Sequence, residues 1–273
     1  MGLFGGKPDV EIQLDSDTVV AGGTVRARAT FGAPDRKTQG ARIELLYRNT
    51  YKHDTTDSDG DRTTSTTHSD VIVVVQQVDL SDSGLTGGVE AVFDVPREAP
   101  GTAFKSVEWK VRAVVDRKLA RDARAEAPLT VLVPADQHPM WATGPLECSE
   151  AWPMSIEPSS RVVRPGETIT GRFTFAPSET IKASGVRVQL RRHRSDPDAN
   201  SDIDDKTRVE LMGKTELPAG QYQDLSFSIT VPPDAAPSFD AQYNTQRWYL
   251  EGVIDKSLAR DPNVKAEVFV YTG

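Results

Sequence analysis

A segment of 16 residues occurs twice in the chain, and this repeat constrains the fold more than any other feature of the sequence. Residues 107–122 (VEWKVRAVVDRKLARD) align without a gap with residues 246–261 (QRWYLEGVIDKSLARD). Residues 19–23 and 162–166 also match, and each precedes a predicted strand that ends in Phe, at Phe31 and Phe175. A chain of 273 residues has room for two domains of roughly 150 residues. The sequence therefore predicts two copies of one duplicated domain.

Apolar and polar residues alternate one by one in both halves, which is typical of a half-buried β-strand. The alternation is clearest in segments 10–14, 25–31, 43–47, 89–95, 107–115, 169–175, 186–190 and 225–231. Residues 71–75, a continuous run of Val and Ile, predict a strand that is covered on both faces for part of its length. Short breaks rich in Gly, Pro, Asp and Ser separate the segments. We therefore predict an all-β fold of two tandem seven-stranded antiparallel β-sandwiches, internally duplicated.

The predicted domains are residues 1–136 and residues 154–273, joined by a connector of residues 137–153. Residues 134–153 contain four prolines, and proline cannot take part in a central ladder. The connector also contains Trp141 and Trp152. We expect these side chains to pack where the two domains meet; exposed linker aromatics are the alternative that the sequence leaves open.

Charge and cysteine content exclude some classes of protein. The net charge of −8 argues against a broadly basic nucleic-acid-binding protein. Cys148 is the only cysteine, so no intramolecular disulfide can form, which fits a reducing compartment. No apolar run approaches the ~18 residues of a membrane-spanning helix, and residues 1–8 do not resemble a signal peptide. We expect a cytoplasmic protein.

The sequence contains no pattern that indicates catalysis. The four histidines, His53, His68, His138 and His193, lack the spacing of metal ligands. There is no G-x-S-x-G nucleophile motif, and no glycine-rich phosphate loop follows a strand and opens a helix. We therefore predict that the protein is not an enzyme, with no catalytic residues and no cofactor.

Two acidic loops are the only candidates for metal binding. Carboxylates at alternate positions suit a hard cation such as calcium. The candidate ligands are Asp57, Asp59 and Asp61 in the first half and Asp196, Asp198 and Asp202 in the second. Neither loop follows the order of an EF-hand, and the flanking Ser and Thr residues are typical of a solvated loop. A calcium titration distinguishes the two interpretations.

The repeated Asp-x-x-Leu-Ala-Arg-Asp segments, residues 116–122 and 255–261, connect the last two predicted strands of each half. A structural explanation is favoured because the segment occurs in both halves. Asp stabilises turns through hydrogen bonds between its side chain and its own backbone. Leu119 and Leu258 can cover the end of a sandwich, and Arg121 and Arg260 can bind a carboxylate.

Two motifs carry a resemblance to a known family. They are the Val-x-Pro-Gly-Glu-x-Ile-x-Gly opening at residues 163–171 and the Trp-containing strands at residues 109–116 and 248–255. With these motifs the chain resembles the arrestin clan, and within it the bacterial sporulation-control proteins. The first half departs from the opening motif, with Gly22-Gly23 in place of Pro-Gly. The resemblance implies tandem sandwiches that act as adaptors or regulators, without shared catalytic residues.

The leading hypothesis is a non-enzymatic cytoplasmic scaffold or adaptor that binds a protein partner, with a role linked to sporulation or development. Open sheet edges can accept an extended peptide. Charged sheet faces are the other candidate surface, with Arg26 and Arg28 in the first half and Arg187 and Arg191 in the second. Peripheral membrane contact and homo-oligomerisation stay open. The alternative function is a ligand-binding β-sandwich that recognises calcium or carbohydrate.

Overall fold

The computed structural model describes residues 10–33, 37–55, 65–80, 87–137, 147–148, 153–197, 202–256 and 260–273. The all-β prediction is confirmed: these residues form 19 strands in four sheets, with one short 3₁₀ turn at Ala135–Gln137. The chain divides into two compact units. Unit 1 comprises Met1–Val133 with Ala241–Tyr243, and unit 2 comprises Pro134–Asp240 with Asn244–Gly273.

The described residues of unit 1 form eight strands in two sheets. The strands are β1 (Val10–Leu14), β2 (Thr18–Val20), β3 (Thr24–Phe31), β4 (Thr38–Thr55), β5 (Ser65–Leu80), β6 (Gly87–Asp94), β7 (Val107–Arg117) and β8 (Ala123–Leu132). A three-stranded sheet has the order β1-β3-β6, and a five-stranded sheet has the order β2-β8-β7-β4-β5.

In unit 2, eleven strands lie within the part of the chain that the structure describes. They are β9 (Glu147–Cys148), β10 (Met154–Pro158), β11 (Val162–Val163), β12 (Thr168–Phe175), β13 (Ile181–Ser195), β14 (Asp202–Met212), β15 (Thr215–Leu217), β16 (Gln223–Thr230), β17 (Phe239–Asp240), β18 (Thr245–Lys256) and β19 (Asn263–Val270). One sheet has the order β10-β12-β16. The larger sheet has the order β11-β19-β18-β13-β14, with β15, β17 and β9 paired at its sides.

The two units have the same strand order in both sheets. The registers also correspond, since Val10 pairs with Phe31 in unit 1 and Met154 pairs with Phe175 in unit 2. In the described part of each unit, seven strands have five or more residues. The predicted antiparallel pairing is wrong at one place in each unit: the short strands β2 and β11 run parallel to the last strand of the unit.

A tight turn leads from the short second strand of each unit into the next strand. Gly22 and Gly166 both have positive φ, 88° and 83°, where a side chain is strained. Each N–H donates a 3.0 Å hydrogen bond to a valine carbonyl, Val95 or Val231. The sequence alignment of Gly22-Gly23 with Pro165-Gly166 is therefore off by one residue, because Gly22 is the structural equivalent of Gly166.

Both sheets of unit 2 contribute to one apolar core. Phe173 of the three-stranded sheet and Trp248 and Leu250 of the larger sheet belong to this cluster. The Trp in the repeated segment forms an equivalent hydrogen bond in each unit. The indole N–H of Trp109 donates to the carbonyl of Pro100 (2.8 Å), and that of Trp248 donates to Ala236 (3.0 Å). The repeated Trp is thus a buried, hydrogen-bonded core residue.

The repeated Asp-x-x-Leu-Ala-Arg-Asp segments close the hairpins β7–β8 and β18–β19. The Asp122 carboxylate accepts a hydrogen bond from the Arg117 backbone N–H at 3.0 Å, and Asp261 accepts from that of Lys256 at 2.8 Å. The structural explanation of the final Asp is confirmed. The prediction for Leu119 is wrong, because this residue sits at a turn position with φ of 56° and is 95% exposed.

Several predicted features lie outside the described residues. They include Trp141 and Trp152 of the connector, His138, Leu258, and the side chains of Cys148 and His68. Within the described part of the chain, the structure has no helix with the length and hydropathy needed to cross a membrane.

Candidate functional site

The candidate site is the open edge of the five-stranded sheet of unit 1, formed by β5. This strand is the last in the sheet order, and within the described residues it pairs only with β4. It is 16 residues long. An edge strand presents a row of unpaired backbone N–H and C=O groups to any chain that approaches it. The β5 edge is therefore a template onto which another strand can add.

The middle of β5 is apolar and exposed. Ile72 and Val74 are 41% and 45% exposed, and no described residue of the run 71–75 is buried. The predicted cover on both faces is wrong. That prediction depends on the uninterrupted run of β-branched residues, which is typical of a strand covered on both faces. Here the strand ends the sheet, so the apolar run meets solvent.

Acidic residues flank the apolar run on the same face. Asp70, two residues before Ile72, is exposed and accepts a 2.6 Å hydrogen bond from the Thr50 hydroxyl. Asp79 near the end of β5 is also exposed and accepts from the Gln77 amide at 2.6 Å. Asp70 also forms an ion pair with Arg48, whose guanidinium group is 3.8 Å away. On this face, β5 itself therefore has an apolar centre and a carboxylate near each end.

A β-bulge and one glutamine fix the position of β5. Leu45 pairs with Gln76, whereas the next residue, Leu46, pairs with Val74, so Val75 is the additional residue. The Gln76 amide forms two hydrogen bonds with the backbone of Asp94 in β6, donating to its carbonyl (2.8 Å) and accepting from its N–H (3.1 Å). Gln76 thus ties the strand to the second sheet and holds the apolar run at the edge.

The equivalent edge strand of unit 2 has a charged sequence. The hydroxyl of Thr207 in β14 donates to the Thr230 carbonyl at 3.3 Å, at the place where Gln76 bonds to Asp94. The registers with β4 and β13 therefore align residues 71–75 with residues 202–206. The sequences are Val-Ile-Val-Val-Val and Asp-Ile-Asp-Asp-Lys. Charges on an edge strand prevent strand addition. Of the two equivalent edges, only that of unit 1 suits it.

The four arginines predicted to bind partners occupy two kinds of environment. Arg26 and Arg28 are exposed on the outer face of β3, as the alternation of that strand predicts. Arg187 forms an ion pair with Asp255, and Arg191 lies 3.1 Å from the Glu251 carboxylate. Arg26 and Arg28 lie on β3 of the three-stranded sheet, whereas β5 belongs to the other sheet of unit 1. No pattern in the sequence identified the β5 edge as a site.

The acidic candidates for calcium are mostly outside the described residues. Asp57, Asp59, Asp61 and Asp198 are not described, and only the backbone of Asp202 is. Asp196 is buried, and one of its carboxylate oxygens accepts from Arg194 (3.2 Å) and Asn244 (3.3 Å). Among the described residues, no group of three or more His, Cys, Asp or Glu side chains could hold a metal ion.

A scan against protein-family models and a search of curated proteins find no match to this chain.

Proposed function

We propose that this protein is a non-enzymatic adaptor that binds an extended segment of a partner protein along the β5 edge. In this proposal its two units are seven-stranded β-sandwiches of the arrestin type, related by duplication, and the chain is similar to the bacterial sporulation-control proteins that work in the cytoplasm. The observation that carries the proposal is the difference between the two equivalent edge strands: β5 is apolar and exposed, whereas the equivalent segment of β14 has a charged sequence.

Strand addition at β5 supplies affinity through the backbone. Each hydrogen bond contributes about 0.5–1.5 kcal/mol net, so several bonds along the run are needed for stable binding. Ile72 and Val74 add to this by losing exposed apolar surface, at about 25 cal/mol per Å². Both contributions are independent of the partner's tertiary structure. This mode therefore suits a flexible segment that becomes ordered on binding.

The charges on the face define the chemistry of the partner. The partner residues opposite Ile72 and Val74 should be apolar, and they should occupy alternate positions of the partner strand. Residues opposite Asp70 and Asp79 should be Lys or Arg, because like charges directly across a ladder are destabilising. The net charge of −8 on the chain further favours a basic segment. We therefore expect a segment with an apolar centre and basic ends.

The test uses a labelled ten-residue peptide with Lys at both ends and Val at alternate positions in the centre. Its binding to the full chain is followed by fluorescence anisotropy. We expect Ile72→Lys and Val74→Lys each to weaken binding at least about tenfold, the equivalent of 1.4 kcal/mol. Val92→Lys is the matched control, because Val92 is 54% exposed but lies on β6 of the other sheet; its affinity should not change.

Three outcomes contradict the proposal. One is peptide binding that is insensitive to Ile72→Lys and Val74→Lys. Another is equally tight binding of a peptide with Glu in place of the terminal Lys residues. The third is a dimer of the chain in sedimentation that dissociates on Val74→Lys, because the edge would then be occupied by a second copy.

A further inference from the structure

A hollow of about 260 Å³ lies on the outer face of the five-stranded sheet of unit 1, beside the β7–β8 hairpin. It is separate from the β5 edge and has no part in the proposed function. Four of the six side chains that line it are arginines. The lining consists of Arg42, Arg112, Val114, Arg121, Asp122 and Arg124.

Two of the arginines form a fixed floor. Their guanidinium groups share the Glu44 carboxylate, which is only 2% exposed: Arg42 Nε and Arg112 Nε each donate to it at 2.6 Å. Arg42 also forms an ion pair with Asp116, and this hydrogen bond raises the pKa of Arg42 above its usual value. The two floor guanidinium groups therefore stay charged and keep their geometry without a ligand, so these two side chains lose little conformational entropy when a ligand binds.

The other two arginines form the rim. Arg121 and Arg124 are exposed, and neither has an ion pair with a residue that the structure describes. Asp122, between them in the hairpin, accepts a hydrogen bond from the Arg117 backbone N–H. Its carboxylate is thus used within the turn. Two guanidinium groups are left to bind a ligand from solution.

The cluster of four arginines is not shared by unit 2. The registers align Arg112 with Glu251 and Arg124 with Asn263. The other two arginines, Arg42 and Arg121, correspond to Arg187 and Arg260. The arginine cluster is therefore a property of unit 1 and not of the shared fold.

We infer that this hollow binds a phosphate group, held by the guanidinium groups of Arg121 and Arg124 above the Arg42–Arg112 floor. The planar fork of donors on arginine matches phosphate oxygens and forms paired, charge-assisted hydrogen bonds. The volume suits a small anion or a single headgroup rather than a drug-sized molecule. The group can be free or carried by a lipid, and the chemistry of recognition is the same.

The test measures binding of inorganic pyrophosphate to the full chain by isothermal titration calorimetry in phosphate-free buffer. Arg124→Asn introduces the residue that unit 2 carries, and Arg121→Ala removes the other rim group. Each should weaken binding at least about tenfold, since hydrogen bonds to charged groups contribute more than those between uncharged groups. Arg260→Ala removes the equivalent arginine of unit 2 and should leave the affinity unchanged. Thermal melts of the three variants check that each is folded.

Vesicles distinguish the sources of the phosphate. Flotation with vesicles that contain a phosphatidylinositol phosphate, and release by pyrophosphate, would assign the site to a lipid headgroup. Binding of pyrophosphate without flotation would assign it to a free phosphate ligand. Absence of pyrophosphate binding at millimolar concentration, or equal loss of affinity on Arg260→Ala, would overturn the inference.

Discussion

We expect Gly252→Ala to destabilise unit 2 by about 1–3 kcal/mol, because the added methyl group has no space in the core. A Cβ atom at this position would lie 2.6, 2.7 and 2.9 Å from three ring atoms of Phe173. Carbon atoms attract each other only at about 3.5–4.0 Å. Phe173 is fully buried, and protein cores are close-packed, so its ring cannot move away without displacing its neighbours.

Unit 1 shows how the same location is filled without a glycine. The registers place Ala113 at the position of Gly252 and Ala29 at the position of Phe173. Unit 1 therefore has two small side chains at this location, whereas unit 2 has a glycine next to the ring of Phe173. The clash in Gly252→Ala therefore depends on the ring, and Phe173→Leu should relieve part of it. The two substitutions together should destabilise unit 2 by less than the sum of their separate effects.

The assay is calorimetric melting of the four proteins of this double-mutant cycle. For a unit of this size, each kcal/mol corresponds to about 2–4 °C in Tm. Hydrogen exchange should place the loss of protection in β12, β13 and β18 rather than in unit 1. An unchanged or raised Tm for Gly252→Ala, or strictly additive effects in the cycle, would refute the packing argument.

Three further predictions concern stability and can be measured by urea unfolding. Glu44→Ala should lower the free energy of unfolding by about 1.5–3 kcal/mol, because it removes a buried carboxylate that binds two guanidinium groups. A decrease below about 0.5 kcal/mol, which is usual for surface substitutions, would contradict this. Gly22→Ala and Gly166→Ala should each cost about 1–2 kcal/mol because of their positive φ, whereas Gly40→Ala, whose added Cβ would meet open space, should cost less. Leu119→Ser should change stability by no more than about 0.5 kcal/mol, since this residue is 95% exposed; a large loss would show that Leu119 does cover the end of the unit.

The sequence predicted the all-β class because strand alternation is a local pattern. In β3, for example, each residue from Thr24 to Phe31 alternates between exposed and buried as the sequence indicates. The repeat likewise identified two equivalent Trp-containing strands, and both tryptophans are buried. These features depend on residues close together in the chain, so no knowledge of the tertiary arrangement was needed.

The β5 edge was not predicted because sheet order is a non-local property. A run of β-branched residues has the same appearance in a central strand and in an edge strand. Only the pairing of β4 with β7 on one side and β5 on the other places residues 71–75 at the border. One signal in the sequence could have identified the β5 edge. The second strand of the β4–β5 hairpin contains Val-Ile-Val-Val-Val, whereas the second strand of the β13–β14 hairpin has Asp-Ile-Asp-Asp-Lys at the same place.

The prediction for Leu119 failed for a related reason. Apolar residues are usually expected to be covered, but the hairpin places this one at a left-handed turn position that points its side chain into solvent. Hydrophobicity alone does not determine burial, and single exposed apolar residues are normal.

Strand addition at β5 is tested most directly by hydrogen–deuterium exchange of the full chain with and without the basic, alternating-valine peptide. We expect added protection in β5 between Asp70 and Asp79, with none in the equivalent strand β14. Protection of β14, or binding of the peptide without any slowing of exchange in β5, would contradict it.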